Sequence, residues 1–141
     1  MYIGITVRLE IYGDPAPQGS KRIIHGRLVE ASSEKLKRWR KAIAAECQAT
    51  RQVTDKFYTD SVAVRVVFYL PRPKTVKRGF PIVPPDLDKL CRGLLDGIGQ
   101  SQVIWGDDSQ VIDLHATKVY ADDREPGATV EIIEYNDLIT V

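Results

Sequence analysis

The chain has 141 residues, 43% of them apolar, with a net charge of +1 and two cysteines. That is enough to bury one core and too little for two ordinary domains, so a single domain over residues 1–141 is expected. No stretch approaches the roughly 20 apolar residues of a membrane span, and Met1-Tyr2-Ile3-Gly4 offers no basic leader before an apolar run, so a cytoplasmic protein without membrane contact is expected.

Residues 2–12 alternate, with Ile3, Ile5, Val7, Leu9 and Ile11 on one face and Thr6, Arg8 and Glu10 on the other, which predicts a half-buried strand. A loop rich in proline and glycine follows and ends on Lys21 and Arg22. Ile23-Ile24 and Leu28-Val29 flank His25-Gly26-Arg27 as a short hairpin. Ser32 or Ser33 caps a helix with Glu34 in its first turn and Leu36, Trp39, Ile43 and Cys47 as its buried stripe. Its outer face carries Lys35, Lys37, Arg38, Arg40 and Lys41. The polar run 50–60 reads as a loop. Residues 61–70 predict a strand, with Val62, Val64, Val66, Phe68 and Leu70 on one face; Val67 and Tyr69 opposite suggest a central strand covered on both sides. Cys47 and Cys91 fall on apolar stripes and read as reduced core residues; without a C-x-x-C, zinc is not expected. His25 and His115 have no ligand-type neighbours and receive no role.

The long loop Pro71–Pro85 holds five prolines together with Arg72, Lys74, Lys77, Arg78 and Phe80. Basic residues interleaved with an aromatic suit a flap that touches nucleic acid, while Phe80 itself is expected to tuck onto the core rather than between bases. Asp86 then stands at an N-cap position, and Leu87, Leu90, Leu94 and Ile98 mark a helix that leaves Asp88, Lys89, Arg92 and Asp96 on its polar face. Gly93 and Gly97, four apart, suit a close helix approach. Asp88 and Arg92, at i and i+4, are expected to meet. The loop Gly99–Gly106 is expected to bring Asp107-Asp108 back past the first helical turn. Two readings stand for the acids: Asp86 and Asp88 serve as cap and dipole partner, or the aspartates of both segments together hold a hard divalent cation. Residues 110–121 and 129–135 form two further strands, with Asp113 at the surface of the first.

Charge is segregated along the chain. Between Lys21 and Lys41 eight Lys/Arg face two acids, and between Arg65 and Arg92 seven face two. From Asp96 to Asp137 ten acids face Lys118 and Arg124. A basic face for a polyanion beside an acidic pocket is the functional reading, and the solvated surface of an ordinary domain the plain one. The element order gives an α+β domain, with two main helices packed on a mixed sheet.

Asp86-x-Asp88 opening a helix, a basic residue four further on, and Asp107-Asp108-x-Gln110-Val111 resemble the RusA family of Holliday-junction resolvases. The resemblance implies metal-binding and catalytic aspartates at Asp86, Asp88 and Asp108, with Asp107 and Lys89 beside them as supporting groups. It also implies Mg²⁺ as cofactor with Mn²⁺ as a substitute, a four-way branched DNA substrate, a homodimer making paired cuts, and a role in recombination and repair. The family's lysine falls on Arg92, a departure: the charge survives, but arginine cannot give up a proton. Lys21, Arg22, Lys37, Arg38, Lys41, Arg72, Lys74, Lys77 and Arg78 are the expected DNA contacts. Two rivals remain: a non-catalytic DNA-binding module that has kept the fold, and a metal-dependent phosphatase on small substrates, against which the extended basic surface argues.

Overall fold

The valine-rich run at the middle of the chain sets the architecture. It forms β4 (Val62–Leu70), whose even-numbered side chains are all buried, as an alternating strand against helices requires. The computed structural model describes residues 6–19, 21–30 and 33–135. Around β4 the order is β1 (Val7–Tyr12), the hairpin β2 (Lys21–Ile24) and β3 (Arg27–Glu30), α1 (Ser33–Val53), β4, α2 (Leu87–Ser101), a single 3-10 turn (Asp108–Gln110), β5 (Val111–Tyr120) and β6 (Gly127–Glu134). The main sheet runs β1-β6-β4-β5, with β2 and β3 forming a separate ribbon. Only the β4–β5 pairing is parallel, so the sheet is mixed. That parallel pair is joined through the flap and α2, the crossover that parallel neighbours need.

Both helices lie on one face of the sheet. Leu36, Trp39, Ile43 and Cys47 of α1 and Leu90, Leu94 and Ile98 of α2 meet Val7, Leu9, Ile11, Val64, Phe68, Val130 and Ile132 in one core. Gly97 permits the helices to approach closely: a Cβ there would sit 3.0 Å from the Ile43 side chain. Gly93, one turn earlier, instead abuts the proline loop, where a Cβ would lie 3.0 Å from the Ala16 carbonyl oxygen.

β4 is central, between β6 and β5, but it is not covered on both sides. Its odd-numbered positions from Arg65 onward lie on an outer face of polar pairs, such as Arg8–Glu131 (3.6 Å) and Arg124–Glu10 (2.6 Å), with Arg124 stacked 4.0 Å over the Tyr69 ring. Val67 and Tyr69 are therefore half-buried by neighbouring long side chains, not by a second layer. α1 runs one turn past the predicted boundary, to Val53; Thr54 N–H closes on the Thr50 carbonyl (2.9 Å) and Arg51 reaches the Asp55 carbonyl (3.2 Å). The expected strand portion before Thr6, and Ser32, fall outside the described residues.

Candidate active site

The two carboxylates that open α2 differ in their attachments. Asp86 has the extended backbone of an N-cap (φ −69°, ψ 142°), and its carbonyl accepts from Leu90 N–H (3.0 Å). Its side chain makes no capping bond, so capping does not account for the carboxylate. Asp88, in the first turn, is exposed and paired with Lys89 Nζ at 2.8 Å, and that hydrogen-bonded ion pair holds its pKa below the usual carboxylate range. Lys89 thus takes the place expected for Arg92. The Arg92 side chain instead lies against Gly19, where an added Cβ would be 2.7 Å from Nη1. Gly19 has φ +108°, a conformation glycine adopts without penalty. The proline loop is docked there by Gln18 N–H donating to the Lys89 carbonyl (3.1 Å).

The second acidic pair divides its labour more sharply. Asp107 caps the 3-10 turn, its Oδ2 accepting from Ser109 N–H (3.3 Å) and from the Ser109 hydroxyl, and these bonds lower its pKa. Gln110 completes a capping box by accepting from Asp107 N–H (3.0 Å). Asp108 has no such duty. Partial burial, and then a hydrogen bond shared with the Asp96 carboxyl, push its pKa up. The loop therefore returns the pair to the second half of α2, not to its first turn as expected. Asp96 stands eight residues after Asp88, which is about 12 Å along a helix axis. Asp88, Arg92 and Asp108 nevertheless line one cleft of about 700 Å³ between α2 and β5, floored by Leu87, Cys91, Leu95, Leu114 and Ala116. Asp86 is not among its lining residues. Among the described residues, no three His, Cys, Asp or Glu groups converge as a ready metal cage. Hard carboxylate oxygens facing one cleft do suit Mg²⁺, which commonly takes one or two carboxylates and completes its shell with water and phosphate.

Residues 13–133 match the family described as Endodeoxyribonuclease RusA. The chain belongs to the RusA family. An uncharacterized protein, YqaN of Bacillus subtilis (strain 168), is 30% identical over 142 residues, which covers 91% of this chain and 96% of the relative. As a RusA-family member the chain has the activity class of an endodeoxyribonuclease.

The basic residues of this RusA-family chain fall into distinct groups. Lys37, Arg38 and Lys41 are exposed along α1, Lys37 in a loose pair with Glu34 (3.5 Å). Lys74, Lys77 and Arg78 are exposed on the flap, Arg78 Nε also donating to the Tyr120 hydroxyl (3.0 Å). Arg72 is otherwise engaged. It donates to both Asp122 oxygens (2.7 and 2.9 Å) and to the Val76 and Arg78 carbonyls, and stacks 4.2 Å over the Tyr120 ring. Its guanidinium anchors the flap. Lys21 and Arg22 lie on β2, and their side chains are outside the described ones. Phe80, expected to tuck onto the core, is 67% exposed beside Ile82 at 82%. Asp113 lies on the outer sheet face next to His115 (3.1 Å), pointing away from the cleft.

Several residues that shape the RusA site were not singled out from sequence. Asp96 lay on the polar face of α2 without a signal to couple it to Asp108. Arg40, counted among the outer bases of α1, turns inward to Gln100 (2.6 Å) and Asp96 (3.8 Å). Lys118 ties down the end of the flap through the Val83 (2.9 Å) and Pro85 (2.8 Å) carbonyls. Gln110 was named only within the family motif, although an acid followed three residues later by glutamine is a capping-box spacing.

Proposed function

We propose that this chain is a Mg²⁺-dependent endonuclease that cuts branched DNA, with the four-way junction as substrate and a homodimer delivering paired cuts in recombination and repair. The observation that carries the reading is the Asp108 carboxyl, its pKa raised by partial burial and by Asp96, facing the same cleft as Asp88 and Arg92, while its neighbour Asp107 is occupied by capping. A carboxylate crowded by Asp96 at the edge of a surface meant for a polyanion is unfavourable unless a cation or proton intervenes. Asp88 and Asp108, with Asp86 from the helix start, would hold the metal. When bound, Mg²⁺ supplies charge neutralisation at the phosphate and a more acidic water. Arg92 lies on the cleft wall without a hydrogen bond or ion pair among the described residues, and is available to charge developing on the phosphoryl oxygens. The exposed bases of α1 and the flap fix the DNA through its backbone and read no sequence.

The test is cleavage of a synthetic four-way junction with and without Mg²⁺, alongside binding in EDTA. Asp86→Asn, Asp88→Asn and Asp108→Asn should each abolish cutting and spare binding. Arg92→Ala should cost on the order of 2–4 kcal/mol of transition-state stabilisation, roughly 30- to 1,000-fold in single-turnover rate, with Arg92→Lys tolerated. Tight junction binding with no cutting in Mg²⁺ or Mn²⁺ would instead identify a DNA-binding module that has kept the fold.

A further inference from the structure

The Gln110 amide uses all four of its hydrogen-bonding positions. Its Oε1 accepts from Gly106 N–H (2.9 Å) and Asp107 N–H (3.0 Å), and its Nε2 donates to the Tyr58 (2.9 Å) and Asp60 (3.0 Å) carbonyls. Two N–H groups on one side and two carbonyls on the other fix which end is oxygen. One side chain therefore joins the turn that carries Asp108 to a segment some fifty residues earlier in the chain. That segment is itself rigidly held. Tyr58 is 1% exposed, donates its hydroxyl to the Ile132 carbonyl of β6 (2.9 Å) and its N–H to the Ile104 carbonyl (2.8 Å). A continuous path of hydrogen bonds thus runs from the sheet through Tyr58 and Gln110 to the backbone immediately before Asp108.

We propose that Gln110 is a positioning residue for Asp108, holding that carboxylate in the cleft for the metal; this rests on the nuclease reading above. The need for an external brace follows from the local chemistry. Asp108 lines the cleft, and among the described residues no ion pair with a basic side chain holds its carboxylate there. The backbone must supply the restraint that the side chain lacks. Asp107 cannot do so alone, because its carboxylate grips groups of the same turn. Gln110 bonds both the turn and the framework. Amides of this kind behind a metal ligand are worth roughly 10- to 100-fold in metal affinity or activity.

The experiment uses the intact chain and Gln110→Met, which keeps the length of the side chain and removes all four bonds. Mg²⁺ affinity is read by calorimetry, amide exchange at Gly106 and Asp107 by NMR, and junction cutting by single turnover. The expected result is faster exchange at both amides, a roughly 10- to 100-fold loss of Mg²⁺ affinity, a matching rise in the Mg²⁺ needed for cutting, and unchanged junction binding in EDTA. A folded Gln110→Met protein with wild-type Mg²⁺ affinity and wild-type cutting overturns the proposal, even if its melting temperature falls, because Gln110 then only staples two segments together. Should that variant fail to fold, Gln110→Asn takes its place: one methylene shorter, it reaches one side only and is expected to shift Mg²⁺ affinity in the same direction by less, and an unshifted affinity overturns the proposal equally. Wild-type protein that neither binds Mg²⁺ nor cuts the junction overturns the nuclease reading itself, and the metal role of Gln110 with it.

Discussion

Asp107 and Asp108 are chemically identical neighbours that the fold pushes in opposite directions. Ser109 donates to Asp107 and favours its ionised form, so its stabilisation is present above the ordinary carboxylate pKa and is lost as pH falls through the depressed value. For Asp108, partial burial and the Asp96 carboxyl favour the protonated form. Its stabilisation is complete below the ordinary pKa and is lost as pH rises through the raised one, so at neutral pH the ionised group is a cost to the fold. Like charges at this range are worth about 0.2–0.5 kcal/mol. In EDTA at neutral pH, Asp108→Asn should therefore melt about 1–3 °C above wild type, and the gap should close near pH 4, where carboxylates protonate. Added Mg²⁺ should raise the wild-type melting temperature and leave the variant unmoved. A variant that melts lower than wild type in EDTA would show that Asp108 is not strained by its neighbours.

Among the elements, the flap is the one whose character depends on contacts remote in sequence. Arg72 closes it onto Asp122 and Tyr120, and Lys118 holds its far end at Val83 and Pro85. With both ends tied down, Phe80 and Ile82 have no path to the core and stand in solvent beside Lys77 and Arg78. Arg72→Ala should free the loop: trypsin should cut at Lys74 and Lys77 several-fold faster, junction binding should weaken, and the melting temperature should change little. Unchanged proteolysis would mean the flap holds its shape without this anchor. The same contrast explains what was legible beforehand. The alternation of β4 and the three-and-four spacing of Leu87, Leu90, Leu94 and Ile98 are local periods, and both elements formed as those periods require. The start of α2 at Asp86 was legible too, although its side chain makes no capping bond; the capping role that separates Asp107 from Asp108 was not. The last turn of α1 was hidden because Arg51 and Gln52 face solvent and Thr50 is polar, so the turn carries no apolar period. Phe80 was misread because apolarity is a property of a residue and burial is not; the anchoring role of Arg72 was hidden because its partner lies fifty residues away. The burial of Trp105 in a glycine-bounded loop, where it bridges to Tyr58, is likewise a tertiary outcome.

Over the whole molecule, a net charge of +1 resolves into a basic side and an acidic cleft. On α1 the division is made within one turn. Lys37, Arg38 and Lys41 point to solvent, while Arg40 turns under them to Asp96 and Gln100 and so ties the basic helix to the second half of α2. The Lys37–Glu34 pair is exposed at both ends and offers little resistance to a phosphate competing for the lysine. If DNA lies across this face, junction binding in EDTA should fall steeply with salt through counterion release, with a slope near 0.9 for each phosphate neutralised. Replacing Lys37, Arg38 and Lys41 together by alanine should flatten that slope by about 2–3. Arg40→Ala should leave the slope alone, because its charge is committed inward, and should lower the melting temperature instead, leaving Asp96 without its ion-pair partner. The two variants alter neighbouring positions of one helix and make opposite forecasts. A triple variant with the wild-type slope would move the DNA to another face, and an Arg40→Ala that flattens it would mean that Arg40 swings out to the phosphate when the junction binds.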